Sequence, residues 1–303
     1  MPFIVAPTGL NGILWPDGDV ALARAAASAG IPFCLSTAAT TTIEEVARRV
    51  DGEFWFQLYV VTRELADDLA SRAWKVGCRV LILTTDVPVN GKRLRDLRSG
   101  FKIPFRPGPR LAIDAIRHPR WLAGQLRHGF PELANMKSTG AASLETQAAL
   151  MARKMDTSFD WDALARLRDS WRGRLIVKGI MRMDDAWRCV SLGVDGVILS
   201  NHGARQLDDA DSPLNLLIDS PPEVGSDLFL DSGIRDASDA VKALSLGANG
   251  VMLGRAILYG LAATGEPGAR EVIDMFKTDL IRTLTLIGCP SVKALSRDLV
   301  ACS

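Results

Sequence analysis

The chain has 303 residues, 48% of them apolar and 23% charged, which excludes a disordered or fibrous protein and leaves material for a large core. With 36 Lys plus Arg against 35 Asp plus Glu, it has no overall attraction for nucleic acid, which is therefore not expected as a partner. The five cysteines, Cys34, Cys78, Cys189, Cys289 and Cys302, are odd in number and widely spaced, a pattern of reduced thiols in a cytoplasmic compartment and not of disulfides or structural zinc.

The chain opens on an apolar run, Phe3 to Ala6, with no basic leader or cleavage signal, and no run of about 18 apolar residues follows. Seven more short runs succeed it: Phe33 to Ser36, Trp55 to Tyr59, Val80 to Thr84, Leu175 to Lys178, Gly196 to Ser200, Leu228 to Asp231 and Gly250 to Leu253. Between them the apolar period becomes helical over Asp17 to Gly30, Thr42 to Val50, Arg63 to Gly77, Trp161 to Trp171, Met183 to Gly193 and Ala237 to Gly247. Several of these stretches end at glycine, a frequent helix terminator. Eight strand and helix units predict an α/β fold, a single-domain (β/α)8 TIM barrel over 1–303, with a large open sheet as the second choice.

Residues 87–160 interrupt the pattern after the fourth strand and are far longer than a loop between strand and helix. They are expected to be a lid or a targeting insert. Residues 101–133 hold six Lys or Arg against two acidic residues, interleaved with Phe101, Ile103, Phe105, Trp121 and Phe130. That composition suits peripheral contact with an anionic membrane surface.

On a barrel of this kind, chemistry gathers where the strands end. Those positions carry Pro7 and Thr8, Ser36, Gln57 and Tyr59, Thr84 and Asp86, Lys178, Ser200 and His202, Asp231 and Arg235, and Gly254 and Arg255. The strongest local signal is Ser200-Asn-His-Gly-Ala-Arg-Gln-Leu-Asp208. His118 and His128 fall in the basic insert, so His202 is the one histidine on the rim, suited to accept a proton near neutral pH. Asp86 is the candidate to stabilise the resulting imidazolium. Arg205 and Arg93 can grip a carboxylate at two points, which makes a small carboxylic acid the expected substrate.

Gly233 with Arg235, and Gly254 with Arg255, follow the seventh and eighth strands, where barrels repeatedly bind phosphate. No Gly-x-Gly-x-x-Gly follows a strand, which disfavours a nicotinamide dinucleotide. Lys178 admits three readings: a Schiff-base lysine as in barrel aldolases, an ion-pair partner, or a positive charge against the edge of a flavin. A phosphate site together with a rim histidine favours the third. An aldolase or isomerase barrel, and a non-catalytic barrel that binds flavin, are the alternatives.

In the Ser200 to Asp208 motif, in Trp55-Phe-Gln-Leu-Tyr59, in Thr84-Thr-Asp86 and in Gly254-Arg255, the chain from Pro2 to about Gly288 resembles the FMN-dependent 2-hydroxy acid oxidase and dehydrogenase family. The resemblance implies FMN as cofactor, His202 as base with Asp86 as its charge partner, and Arg205 and Tyr59 on the substrate carboxylate and hydroxyl, assisted by Arg93. It places Pro7, Thr8, Ser36, Gln57, Thr84 and Lys178 around the isoalloxazine with Ser200 nearby, Asp231 on the ribityl chain, and Gly233, Arg235, Gly254 and Arg255 on the phosphate. Within the family, Pro7-Thr-Gly-Leu-Asn-Gly12, Leu14-Trp-Pro16, Val89-Asn-Gly91 and Phe101-Lys-Ile-Pro104 look most like the branch that oxidises (S)-mandelate. Gly9 and Ala38 are small there, leaving room for an aromatic substrate.

Oxidation of L-lactate or glycolate is the alternative within the family, and a barrel impaired by lack of the family's usual N-terminal segment is another. That segment carries a tyrosine that contacts the substrate carboxylate and has no counterpart here. Asp236-Ala237 stands where the family commonly has Arg-Gly, which is expected to put a negative charge near the phosphate entrance. The resemblance further implies a homotetramer and leaves open whether oxygen, a quinone or a cytochrome reoxidises the flavin. The reduced thiols and the basic insert together give the expected location as cytoplasmic, peripheral at the inner face of the cell membrane.

Overall fold

A computed structural model describes residues 1–99, 108–129, 131–139, 156–219 and 224–300. Eight parallel strands close into a barrel in sequence order: β1 (Phe3–Thr8), β2 (Phe33–Ser36), β3 (Phe54–Leu58), β4 (Val80–Thr84), β5 (Arg174–Ile180), β6 (Gly196–Leu199), β7 (Asp227–Leu230) and β8 (Gly250–Leu253). Closure is made by β1 against β8, with Phe3 opposite Val251 and Val5 opposite Leu253. This is the expected (β/α)8 barrel, and the open sheet is excluded.

Side chains alternate between the two faces of each strand, so every strand supplies two kinds of core. Leu81, Leu83, Val177, Val197, Leu199, Leu228 and Leu230 face the surrounding helices and join the large outer core. Ile4, Ala6, Cys34, Trp55, Val80, Ile82, Ile176, Ile198, Phe229 and Met252 form a separate cluster that fills the barrel. Complete burial of a side chain such as Leu, Ile or Phe stabilises by ~1.5–3 kcal/mol relative to exposure. The interior is thus a packed plug, and polar chemistry is confined to the ends.

The helices start where the sequence offers side-chain acceptors to otherwise unpaired amides. Thr42 accepts from Glu45 N ahead of Ile43–Arg49, Thr62 from Leu65 N ahead of Arg63–Lys75, and Asp160 from Ala163 N ahead of Trp161–Ser170. Asp236 likewise accepts from the amides of Ser238 and Asp239 and closes a capping box at Ala237–Ser245. Its charge serves a helix start, a use the expectation for this position did not include.

Two helices absent from the sequence reading, Arg255–Thr264 and Glu266–Leu286, lie against each other after β8. Between β4 and β5 the described residues form helices Leu94–Ser99, Pro109–Arg117 and Pro119–His128 and a 3-10 turn at Ala134–Thr139. The last of these helices is seated on the barrel. Trp121 Nε1 donates to Ile13 O at 2.7 Å, and the buried Gln125 donates to Gly12 O at 2.8 Å. Ile113, Ile116 and Leu126 point outward and are more than half exposed. Phe101, Ile103, Phe105 and Phe130 of the expected membrane patch lie outside the described residues.

Candidate active site

The alternation that builds the barrel plug also builds the site. Two residues beyond the topmost interior apolar side chain of each strand stands a residue singled out from the sequence. Ala6 leads to Thr8, Cys34 to Ser36, Trp55 to Gln57, Ile82 to Thr84, Ile176 to Lys178, Ile198 to Ser200, Phe229 to Asp231, and Met252 to Gly254. One ring of polar or unencumbered positions therefore sits on the plug at the carboxyl ends of the strands.

Half of that ring is neutral. Ser36 Oγ donates to Gln57 Oε1 at 2.9 Å, and Gln57 Nε2 donates to Thr84 Oγ1 at 3.0 Å, which fixes the orientation of the Gln57 amide across β2, β3 and β4. The opposite half is charged. Lys178 Nζ donates to Ser200 Oγ at 2.8 Å and lies 3.1 Å from Asp231 Oδ2. Burial pushes the Asp231 carboxyl up, but the Lys178 ammonium and the Ser200 and Ser232 hydroxyls outweigh it, and the net pKa is lowered. Burial likewise pulls Lys178 down, while Asp231 and Asp86 outweigh it and leave the ammonium stabilised. Both members of the pair are ionised, and removing either would leave a buried charge uncompensated.

His202 stands above this ring in a strained segment. It and Ala204 adopt left-handed backbone angles, φ 57 and 58, which side chains other than glycine seldom take. Several contacts hold them there. His202 N donates to Ser200 Oγ at 3.1 Å, Gly203 N to Ser232 Oγ at 2.9 Å, and Ala204 N to Asn201 Oδ1 at 3.0 Å. The resulting placement brings Nδ1 of His202 to 3.0 and 3.1 Å from the two oxygens of Asp86, which arrives from the end of β4. The side chains of both are largely buried, at 19% and 12% exposure, so water screens their interaction only weakly.

Arg93 and Arg205 converge beside this dyad. Arg93 Nε approaches Arg205 O at 3.4 Å, and Arg205 Nη2 lies 3.7 Å from Asp96 Oδ2, a loose pairing. Burial and the neighbouring Arg93 charge lower the pKa of Arg205 against the opposing pull of Asp96. Tyr59 responds in the opposite sense. Burial, then repulsion by Asp86, raises its pKa and keeps the hydroxyl protonated and able to donate.

Gln206 is a member of this cluster that sequence reasoning did not single out. Its Nε2 donates to Asp86 O at 3.2 Å and Val89 O at 3.0 Å, while its Oε1 accepts from Arg93 Nη2 at 3.3 Å. It ties the loop after β4 to the loop after β6. A Cβ on Gly91 would fall within 2.5 Å of the carbonyls of Arg205 and Gln206, so only glycine permits that approach. The motif contained Gln206, but the partners that give it a role lie more than a hundred residues away.

The remaining positions suit a phosphorylated cofactor. Arg255 Nη2 donates to Gly203 O at 2.8 Å, Arg235 is exposed, and among the described residues neither guanidinium makes an ion pair with a carboxylate. Gly233 has φ 93 with nothing within 4 Å of a built Cβ, and a Cβ on Gly254 would meet only Ala6. Their lack of side chains answers no crowding by protein and leaves backbone accessible to an anion. Thr8 Oγ1 is buried with no hydrogen-bond partner, an acceptor and donor still to be satisfied at the barrel mouth. These features fit FMN. No cluster of His, Cys, Asp or Glu suited to a metal exists among the described residues.

Comparison with known proteins agrees with this geometry. The profile of the family described as FMN-dependent dehydrogenase matches residues 1–302. The chain is 55% identical over 298 residues to (S)-mandelate dehydrogenase of Pseudomonas putida, covering 98% of this chain and 76% of the relative. It is 38% identical over 307 residues to L-lactate dehydrogenase of Bartonella quintana, covering 99% and 80%. The crystal structure of the monotopic membrane protein (S)-mandelate dehydrogenase superposes with a TM-score of 0.95 at 54% identity, covering 99% of this chain and 81% of that one.

Proposed function

The chain belongs to the FMN-dependent dehydrogenase family, and from that premise we propose that it oxidises an (S)-2-hydroxy acid of the mandelate type to the 2-oxo acid, with His202 as the base. One observation carries the residue assignment: a carboxylate-backed imidazole stands beside two arginines, of which Arg205 has only a loose partner in Asp96. Bound FMN supplies the acceptor for the two electrons that leave the substrate carbon.

The protein's part is to bind, orient and move protons. Arg205, with Arg93 beside it, grips the substrate carboxylate, and the protonated Tyr59 donates to a substrate oxygen. With the Nδ1 hydrogen directed to Asp86, Nε2 of His202 carries the lone pair that accepts the substrate proton. Asp86 then stabilises the imidazolium. Pro7, Thr8, Ser36, Gln57, Thr84, Lys178 and Ser200 would border the flavin ring, Asp231 would hold the ribityl chain, and Gly233, Arg235, Gly254 and Arg255 would hold the phosphate. The ionised Lys178 would favour negative charge gathering on the ring.

The choice of a mandelate-like substrate over lactate rests on Gly9 and Ala38, two small residues in contact at the barrel mouth, and on the 55% identity to the mandelate enzyme. Residues 101–133 are proposed as a peripheral contact with an anionic membrane. Support comes from the basic charge, from exposed Ile113, Ile116 and Leu126, and from the relative's description as monotopic. Among the described residues no helix is long and apolar enough to cross a membrane. A single barrel domain with residues 87–160 as its insert, a homotetrameric assembly, a cytoplasmic-side location and a quinone or cytochrome as oxidant complete the proposal.

The test is anaerobic mixing of FMN-loaded protein with glycolate, lactate and both enantiomers of mandelate while flavin absorbance is followed. Bleaching with (S)-mandelate and not with its enantiomer is expected. A flavin that stays oxidised with every acid would refute the reaction.

A further inference from the structure

Among the described residues, the chemistry above leaves one fully buried acidic side chain without a task. Asp19, in the first turn of the helix Gly18–Ser28, is 0% exposed. Its Oδ1 accepts from Asn11 Nδ2 at 2.8 Å, and its Oδ2 accepts from the amide and the hydroxyl of Thr40 at 2.8 and 2.6 Å. None of these partners is a cation. Burial raises its pKa against the opposing hydrogen bonds of Thr40, Asn11 and Thr41. A carboxylate withdrawn from water without a countercharge is costly, and a well-packed apolar residue would fill the space with less penalty. What an apolar residue cannot offer is two acceptor oxygens facing two different loops.

Those loops leave β1 and β2 at the barrel mouth. Asn11 Nδ2 also donates to Thr8 O at 3.1 Å, and Thr40 Oγ1, while donating to Asp19, accepts from Gly12 N at 3.0 Å. Leu10 N donates to Ala38 O at 3.0 Å, and a Cβ on Gly9 would lie 2.9 Å from Ala38 Cβ. Gly9 and Ala38 therefore form one continuous wall. Its two halves are joined from behind through Asp19, while Gln125 and Trp121 hold the carbonyls of Gly12 and Ile13 from the insert side.

We propose that Asp19 is a positioning residue that sets the shape of the substrate pocket by keeping the Thr8–Asn11 and Ala38–Thr40 loops in register. It touches neither substrate nor cofactor. The inference rests on the reading that Gly9 and Ala38 face the substrate side chain. In Asp19→Asn an amino group replaces one acceptor and confronts a donor of Asn11 or Thr40. Turning the Asn11 amide to relieve that conflict withdraws its bond to Thr8 O. Thr40→Val removes the hydroxyl link to both Asp19 and Gly12 while keeping the side-chain shape, and carries the test where Asp19→Asn does not accumulate.

Both variants are compared with the parent as FMN-loaded protein, first by hydrogen exchange of the amides at positions 10, 12 and 40. Exchange at least ~10-fold faster is expected when the link between Asp19 and Thr40 is lost, because protection there reports local opening. Steady-state kinetics with mandelate and lactate follow. The ratio kcat/KM should fall about 10- to 100-fold for mandelate through KM, the scale of an ångström-sized misplacement, and by less than about threefold for the smaller acid. Unchanged exchange at those amides, or equal losses on the two acids, overturns the role of Asp19. A parent that oxidises neither acid defeats the reaction proposed above, and the exchange measurement then decides the loop-holding role alone.

Discussion

Nδ1 of His202 is almost equidistant from the two oxygens of Asp86, at 3.0 and 3.1 Å, so the imidazole is held by a carboxylate that straddles it and cannot turn without breaking both contacts. The base is oriented before substrate arrives. His202→Asn is expected to retain FMN, since none of the phosphate-side contacts involves its side chain, and to slow substrate-driven flavin reduction by ~10²- to 10⁴-fold. Stopped-flow reduction of variants checked for FMN content measures this, and a near-parental rate removes His202 from the mechanism.

Arg205→Lys separates charge from geometry. An ammonium keeps the positive charge but cannot make the planar two-point contact to a carboxylate. Loss of one hydrogen bond to a charged group, worth ~1.5–3 kcal/mol, corresponds to a drop of about 10- to 150-fold in kcat/KM. KM should rise with it. Parental kinetics in Arg205→Lys would show that the substrate carboxylate is held elsewhere.

Acid stability reports on the buried pair at β5 and β7. The folded-state pKa of Asp231 is lowered, so its stabilising contribution is present above the ordinary carboxylate value of ~3.9 and is lost as pH falls through the lower folded value. The double variant Lys178→Met with Asp231→Asn leaves no orphaned charge. Its melting temperature is expected to depend less steeply on pH below ~4 than the parent's, and equal slopes in thermal melts between pH 3 and 7 would contradict the assignment.

Membrane contact predicts dependence on salt and on outward-facing apolar residues. Sedimentation with anionic vesicles at low salt should carry the protein down, and Ile113→Ser with Ile116→Ser and Leu126→Ser should release it. Each basic residue near such a surface contributes ~1 kcal/mol, screened within a Debye length, so binding of the parent should weaken steeply with added salt. Equal partitioning of parent and triple variant excludes this surface.

The barrel was legible because its strands are short, continuous apolar runs. Six of the eight expected strands overlap the observed ones within a residue of each end, and Val80–Thr84 and Gly250–Leu253 match at both ends, where the apolar run stops. The rim was legible for the same reason, since a period of two carries each run directly to its polar terminus. The helices after β8 were hidden by Gly260, Gly265, Pro267 and Gly268, which read as breakers. In the fold, a Cβ on Gly260 would come within 2.3 Å of Gly268 O, and one on Gly268 within 2.1 Å of Gly260 O. These glycines let two helices touch. Gln206 and Asp19 stayed hidden because their meaning lies in partners brought near by folding.

The hydrogen bond from Arg255 to Gly203 O joins a guanidinium on the phosphate side to the residue that follows the imidazole. A built Cβ on Gly203 would lie 2.7 Å from that same guanidinium, so the two segments interlock by shape as well as by polarity. Thermodynamic linkage makes such an interlock reciprocal. An anion that immobilises Arg255 narrows the conformations open to residues 202–204, and a well-ordered His202 segment in turn raises affinity for that anion. Apoprotein and holoprotein then differ in more than cofactor content, and drift in cofactor retention among variants at positions 203 and 204 becomes a gauge of how firmly the imidazole is seated.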